Sequence, residues 1–268
     1  MNFIKRILKY FYRKVIILFS NFFYKKKVRI QCMGSNYGKW FFIEDINLKN
    51  STILSCGVGE DVSFDIEMIK KYNLKVIFID PTPRAISHFE SIMSSFDKLK
   101  NSKEYSKEYS KDGRQCASSY DLTGLNKDNF FLIKKAIWSE SKKNLKFFYP
   151  INRSNVSMSV SNFSNNYNQN SEHILVETIS YDDVIKNFNI KFLPLIKLDI
   201  EGAEEYVLSK IIQSQVQPKQ ILVEFDELYT YEIKQLLKYR MIHKKLTKAG
   251  YTSIVTNHFS NQLYIKND

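Results

Sequence analysis

Short apolar runs that alternate with helical stretches, turns carrying glycine or carboxylates just after those runs, and two closely spaced strand-like runs at the C-terminal end predict an α/β fold for this 268-residue chain. The sheet is expected to be mostly parallel, with helices on both faces and an antiparallel strand at the C-terminal end. The chain is long enough to bury one sizeable core, and its 44% hydrophobic and 15% aromatic content fits one globular domain with appendages.

The pattern begins at Ser51. Thr52-Ile53-Leu54-Ser55 reads as a strand that breaks at Gly57 and leads into a helix ending near Tyr72, and Lys75 to Ile79 reads as a second strand ending at Asp80. Pro81 and Pro83 punctuate before a helix over about Ala85 to Phe96. A charged insertion over residues 98–113 holds the tandem unit Ser-Lys-Glu-Tyr, and its charge density predicts a solvated excursion. Phe130 to Lys134 resumes as a strand ahead of Ala136-Ile137-Trp138. Residues 152–171 hold 13 Ser or Asn, too polar to pack, as in many lid loops. Ile174 to Thr178 is a strand candidate, and Ser180-Tyr181-Asp182-Asp183 has the form of a capping box opening a short helix. Leu195 to Asp199 is a buried-strand run interrupted by Lys197, followed by Gly202 and a helix to about Ile212. Ile221 to Phe225 is the next strand. A helix from about Tyr231 to Ala249 stops at Gly250, and Tyr251 to Thr256 with Gln262 to Lys266 forms a terminal hairpin.

The formal net charge of +12 is concentrated at the N-terminus. Residues 1–29 hold nine of the 40 basic residues, the first acid is Glu44, and the remainder carries 31 basic against 28 acidic residues. That near-neutral body argues against a nucleic-acid partner. Residues 1–29 mix basic groups with large apolar ones, and the uncharged run from Val15 to Tyr24 is half the ~20 residues a spanning helix needs. No small-residue cleavage site follows it. Two readings stand: an interfacial helix on an anionic membrane surface, or a helix docked on the domain at 30–268. Cys32, Cys56 and Cys116 share no metal-ligand spacing and form no disulfide framework, so no metal site and a reducing, cytoplasmic compartment are expected, peripheral to the membrane under the first reading.

Three segments carry chemistry. Cys56-Gly57-Val58-Gly59-Glu60-Asp61 joins a strand to a helix, where glycines let backbone approach a ligand. A dinucleotide fingerprint would place its third glycine at Val62, which is too large, and Glu60 and Asp61 would repel a diphosphate. They suit a ligand carrying a sulfonium and an ammonium, as S-adenosylmethionine does. Asp80 follows the next strand at the spacing of an acid that accepts from both ribose hydroxyls. In Lys197-Leu198-Asp199-Ile200-Glu201-Gly202-Ala203-Glu204, charges sit at the carboxyl end of a central strand, where open α/β sheets place ligands, and Asp199 and Glu201 are the expected partners of Lys197. Glu224 and Asp226 end the neighbouring strand and would converge there.

In order and character, Gly57-Val58-Gly59-Glu60-Asp61, Phe78-Ile79-Asp80-Pro81-Thr82-Pro83-Arg84, Ile196 to Glu204 and Leu222-Val223-Glu224 resemble the FkbM-type methyltransferase family over roughly residues 51–266. The resemblance implies a Rossmann-like class I fold, S-adenosyl-L-methionine as methyl donor, and O-methylation of a hydroxyl on a sugar, glycan or related small molecule. It assigns Gly57, Gly59 and Asp80 to the donor and Asp199 and Glu201 to the reaction centre; Cys56, Glu60, Asp61, Pro81, Ala136 and Asp199 are expected beside the donor, and Asp199, Glu201 or Glu224 as the base. His173, in the polar loop, is a further base candidate, although a lone histidine there is usually just solvated. Two features depart from the family pattern: Glu60-Asp61 replaces Ala-Asn in the glycine loop, and the insertion near residues 98–113 is extra. A nicotinamide-dependent oxidoreductase and a non-catalytic tethered scaffold are the competing readings.

Overall fold

The computed structural model describes residues 11, 29–98, 108–152, 157–160, 171–228, 233–255 and 260–267. The N-terminal segment apart from residues 11 and 29, most of the Ser-Lys-Glu-Tyr unit, and most of the Ser/Asn loop lie outside them. Among the described residues no helix is long and apolar enough to cross a membrane.

A seven-stranded sheet forms the centre. Its strands are β3 (Thr52–Cys56), β4 (Lys75–Ile79), β5 (Phe130–Ile133), β9 (Leu195–Leu198), β10 (Gln220–Glu224), β11 (Tyr251–Val255) and β12 (Asn261–Lys266). They lie in the order β11-β12-β10-β9-β3-β4-β5. The pairs β10/β9, β9/β3, β3/β4 and β4/β5 are parallel, and β12 runs antiparallel between β10 and β11. Among the described residues five α-helices accompany it: α1 (Ser63–Tyr72), α2 (Pro83–Lys98), α3 (Tyr181–Asn187), α4 (Glu204–Ile211) and α5 (Ile233–Lys248). The expected fold class is therefore observed.

Strand alternation splits the core in two. Leu54, Ile77, Ile196, Leu198 and Val223 pack on one face with Val184 of α3, Val207 and Leu208 of α4 and Ile242 of α5. Ile53, Val76, Phe78, Leu195 and Leu222 pack on the other with Phe64 and Met68 of α1 and Phe89 of α2. A strand covered on both faces can be apolar at every position, which is why β3, β4, β9 and β10 read clearly as uninterrupted runs. The helix ends follow local chemistry: Ser180 Oγ accepts from Asp183 N at 3.1 Å to start α3, and Gly250 takes a left-handed φ of 86° after α5.

Two smaller sheets add strands to the one that the sequence predicts over Ile174 to Thr178. In the first, β6 (Ala136–Trp138) is parallel to β8 (His173–Ser180), which pairs antiparallel with β7 (Asn144–Phe148). The second is a hairpin of β1 (Ile30–Met33) and β2 (Trp40–Ile43) ahead of the first predicted strand. Trp40 and Phe42 enter the core beside Phe64 and Tyr72. Gln220, only 2% exposed, pins the hairpin to β10: its Oε1 accepts from Ile43 N and its Nε2 donates to Ile43 O, both at 2.8 Å. A buried amide satisfied by another segment's backbone leaves two orphaned groups when removed. Gln220→Ala is expected to destabilise the protein by about 2 kcal/mol, read as a lower urea midpoint at unchanged slope.

Candidate active site

A cleft of about 840 Å³ opens at the carboxyl ends of β3, β4, β9 and β10. Gly57, Gly59, Glu60, Asp61, Asp80, Pro81, Ala136, Asp199, Glu201 and Glu224 all line it, so the structure brings ten of the eleven expected residues together. Cys56 stays outside. Its side chain is fully buried in the core, and burial pushes its thiol pKa far up, so only its carbonyl takes part, accepting from Asp199 N at 3.0 Å. His173 is also elsewhere, against Phe148 at a centroid distance of 5.6 Å with Nδ1 2.9 Å from Ser171 O.

The turn after β3 is held from three sides. Gly57 has φ +77°, and a Cβ there would fall on the carbonyl oxygen of Asp199, so glycine is required for β3 and β9 to lie side by side at this point. Gly59, at φ +58°, has open space where a Cβ would stand. Asp80 is buried beneath the turn: Oδ2 accepts from Val58 N at 2.8 Å and Gly59 N at 3.2 Å, while Oδ1 accepts from Thr82 N and Oγ1. Lys197 is 4% exposed, donates from Nζ to Gly57 O at 2.8 Å, and lies 5.3 Å from the centre of the Trp40 ring. It forms no ion pair with Asp199 or Glu201. The register explains this: Lys197 faces Ser55 across the ladder, which brings its ammonium to the carbonyl two residues further on, in the turn after β3.

Glu60 and Asp61 line the cleft with their carboxylates committed to protein donors. Arg84 grips Glu60 as a fork, Nε to Oε1 and Nη2 to Oε2 at 2.7 Å each, and Arg114 adds an ion pair to Oε2. Asp61 accepts from Ser35 Oγ at 2.7 Å, Ser63 N at 2.9 Å and Gln115 N at 2.9 Å. The charges expected to face a cationic ligand are thus spent on the loop itself.

A second group of carboxylates lies opposite, after β9 and β10. Burial raises Asp199 to about 7, Glu224 adds repulsion and Lys197 opposes it. Burial likewise raises Glu201 to about 7, reinforced by Asp199 and moderated by hydrogen bonds with Ser157 and Asp226. Asp226 and Glu204 are pushed well above the carboxylate range by burial first, then by Glu201 and Glu227 respectively. Glu201 itself has a left-handed φ of +49°, ahead of Gly202 at +96°. Strained backbone of this kind costs ~1–3 kcal/mol and is typical of functional loops. Asp199 and Glu201, which a metal would also suit, belong to no metal-type cluster: among the described residues no group of three or more His, Cys, Asp or Glu could hold an ion.

Several lining residues escape sequence reasoning. Tyr37 and Trp40 come from the β1–β2 hairpin, Phe147 from β7, and Met158 and Ser159 from the Ser/Asn loop. The loop's described part does pack: Met158 is buried, Ser159 bridges Phe148, and Ser159 Oγ donates to Glu201 O at 2.7 Å. The apolar Trp40-Phe41-Phe42-Ile43 run is the one signal available for the hairpin.

A sheet in this order, with a glycine turn after its first parallel strand and carboxylates after the fourth and fifth, defines a Rossmann-like methyltransferase fold. The FkbM methyltransferase domain matches residues 22–253, and the chain belongs to that family of methyltransferases. No curated protein and no solved structure matches it.

The raised carboxyls fix the sign of a pH effect. Between the ordinary carboxylate pKa near ~4 and the folded value, the folded state binds more protons than the unfolded one, so stability falls as pH rises. Melting temperature is expected to drop between pH 5 and pH 8, and Asp199→Asn to flatten that decline, both measured by thermal denaturation across the range.

Proposed function

We propose that the protein transfers the methyl group of S-adenosylmethionine to a hydroxyl of a sugar, glycan or related small molecule. The observation that carries this reading is the contact of Gly57 with Asp199, which faces a glycine turn and a group of protonatable carboxylates across one cleft. The residues present fit the donor: the turn has no side chain at Gly57 and open space at Gly59, so backbone can approach it closely. Gly57, Gly59, Asp80, Pro81 and Ala136 would hold it. When bound, the donor supplies an electrophilic methyl on a sulfonium.

The chain's own task is then to align a hydroxyl with that methyl, exclude water and take up a proton. Asp199 is the preferred base, with Glu201 and Glu224 beside it. A carboxyl raised to about 7 binds a proton firmly enough to take it from a reacting hydroxyl, yet about half of it is ionised at neutral pH. Burial, then Glu224, push Asp199 up, and Lys197 opposes them. Phe147, Met158 and Ile137 supply apolar walls that keep the charges desolvated. A cytoplasmic location, with residues 1–29 meeting an anionic membrane surface, completes the reading; liposome flotation of the full chain against one lacking those residues tests that part.

Titration with S-adenosylhomocysteine and with NADH is expected to show binding of the first alone, and calorimetry without any S-adenosylhomocysteine signal would sink the reading. Asp199→Asn is expected to lower kcat by about 10²–10⁴ while the S-adenosylhomocysteine Kd moves little. In the unsubstituted enzyme kcat is expected to fall as pH drops through about 7, because the base becomes protonated.

A further inference from the structure

Arg114 joins three segments that are far apart in sequence. It follows the charged insertion, and its side chain is largely buried at the rim of the cleft. Its guanidinium pairs with Glu60 of the glycine turn and with Asp112 at 2.6 Å, and lies 5.9 Å from the centre of the Tyr37 ring in the β1–β2 loop. One residue on, Gln115 N donates to Asp61, which also accepts from Ser35 Oγ of the same loop. Gly38 closes against Asp61 so tightly that a Cβ would collide with its carboxylate. Ser35 N and Gly34 N complete the seam on Ser63 Oγ at 2.7 Å and Glu67 Oε2 at 2.8 Å.

From these contacts we infer that Glu60, Asp61 and the end of the insertion form one clasp, and that Arg114 is its hub and a positioning residue for the donor turn. Arg84 already holds Glu60 from the α2 side, so Arg114 is not needed to neutralise that carboxylate. Its distinct effect is to tie Glu60 to Tyr37, which lines the cleft mouth and whose hydroxyl feels the charges of Asp199 and Glu201. The turn before the reaction centre and the wall above it are thereby set by the same cation. This rests on the donor reading above for its catalytic meaning and on the contacts alone for its existence.

The test compares the full-length chain with Arg114→Ala, Arg114→Lys and Glu60→Gln. Hydrogen–deuterium exchange of the ligand-free proteins is expected to rise in Arg114→Ala at residues 57–62 and 35–38 together, with β9 unchanged. Calorimetry is expected to show S-adenosylhomocysteine affinity falling roughly tenfold in Arg114→Ala, the size of losing a partly buried charged hydrogen bond, and partial recovery in Arg114→Lys. Glu60→Gln keeps the shape of the turn, and is expected to loosen the same two loops even where Arg114→Ala does not fold. Exchange confined to residues 108–116, or loosened loops with unchanged affinity and no difference between Ala and Lys, would overturn the proposal. Failure of the unsubstituted protein to bind S-adenosylhomocysteine would instead refute the donor reading, and the exchange data would still decide the clasp.

Discussion

The approach of Gly57 to the carbonyl of Asp199 governs the rest of the site. Two parallel strands can run side by side to their last residues only if neither turn that follows pushes the other away. The missing Cβ at Gly57 meets that condition. The ladder then continues past the strands themselves, through Asp199 N to Cys56 O and Gly57 N to Ile79 O at 3.0 Å each. Because that continuation is rigid, the glycine turn, Asp80 and the carboxylates after β9 share one cleft floor instead of three separate loops. Lys197 braces the same point from within the sheet, exchanging the hydration of its ammonium for one carbonyl and an aromatic face.

Charge is handled in opposite ways on the two sides of that contact. On the side of the glycine turn the three acids beside the cleft are matched: Glu60 by two guanidiniums, Asp61 by a hydroxyl and two backbone amides, Asp80 by three backbone amides and a hydroxyl. On the far side Asp199, Glu201 and Asp226 are half-buried close together with less compensation, and they respond by holding protons more tightly. Matched charges fix a shape; mutually repelling ones store a readiness to exchange protons. The left-handed backbone at Glu201 adds strain on the same side.

What is legible in the sequence follows from burial. Strands β3, β4, β9 and β10 are covered on both faces, so their apolar runs, and the glycine and acids at their ends, stand out from the order of residues alone. Strands β1 and β7 are half exposed, and their patterns of burial alternate weakly over only four or five residues. With them go Tyr37, Trp40 and Phe147, whose arrival at the cleft depends on tertiary docking. Lys197 is recognisable as a buried charge in need of a partner, but residue spacing along one strand points to Asp199 and Glu201, whereas the partner lies across the ladder in the turn after β3. Glu60 and Asp61 are recognisable as unusual in the turn, yet apart from Ser63 N the donors that occupy them come from residues 35, 84, 114 and 115. A pattern read along one segment has no access to these.

The hairpin that Gln220 fastens to β10 also fixes a length. Seven residues separate Ile30, where the chain joins β1, from Tyr37 at the cleft mouth, and seven residues reach at most about 25 Å when fully extended. The opening through which an acceptor enters is therefore leashed to the start of the hairpin. Whatever surface or molecule engages the chain just ahead of residue 30 shares a neighbourhood with that opening, so the search for an acceptor becomes a search within a fixed radius of that engagement.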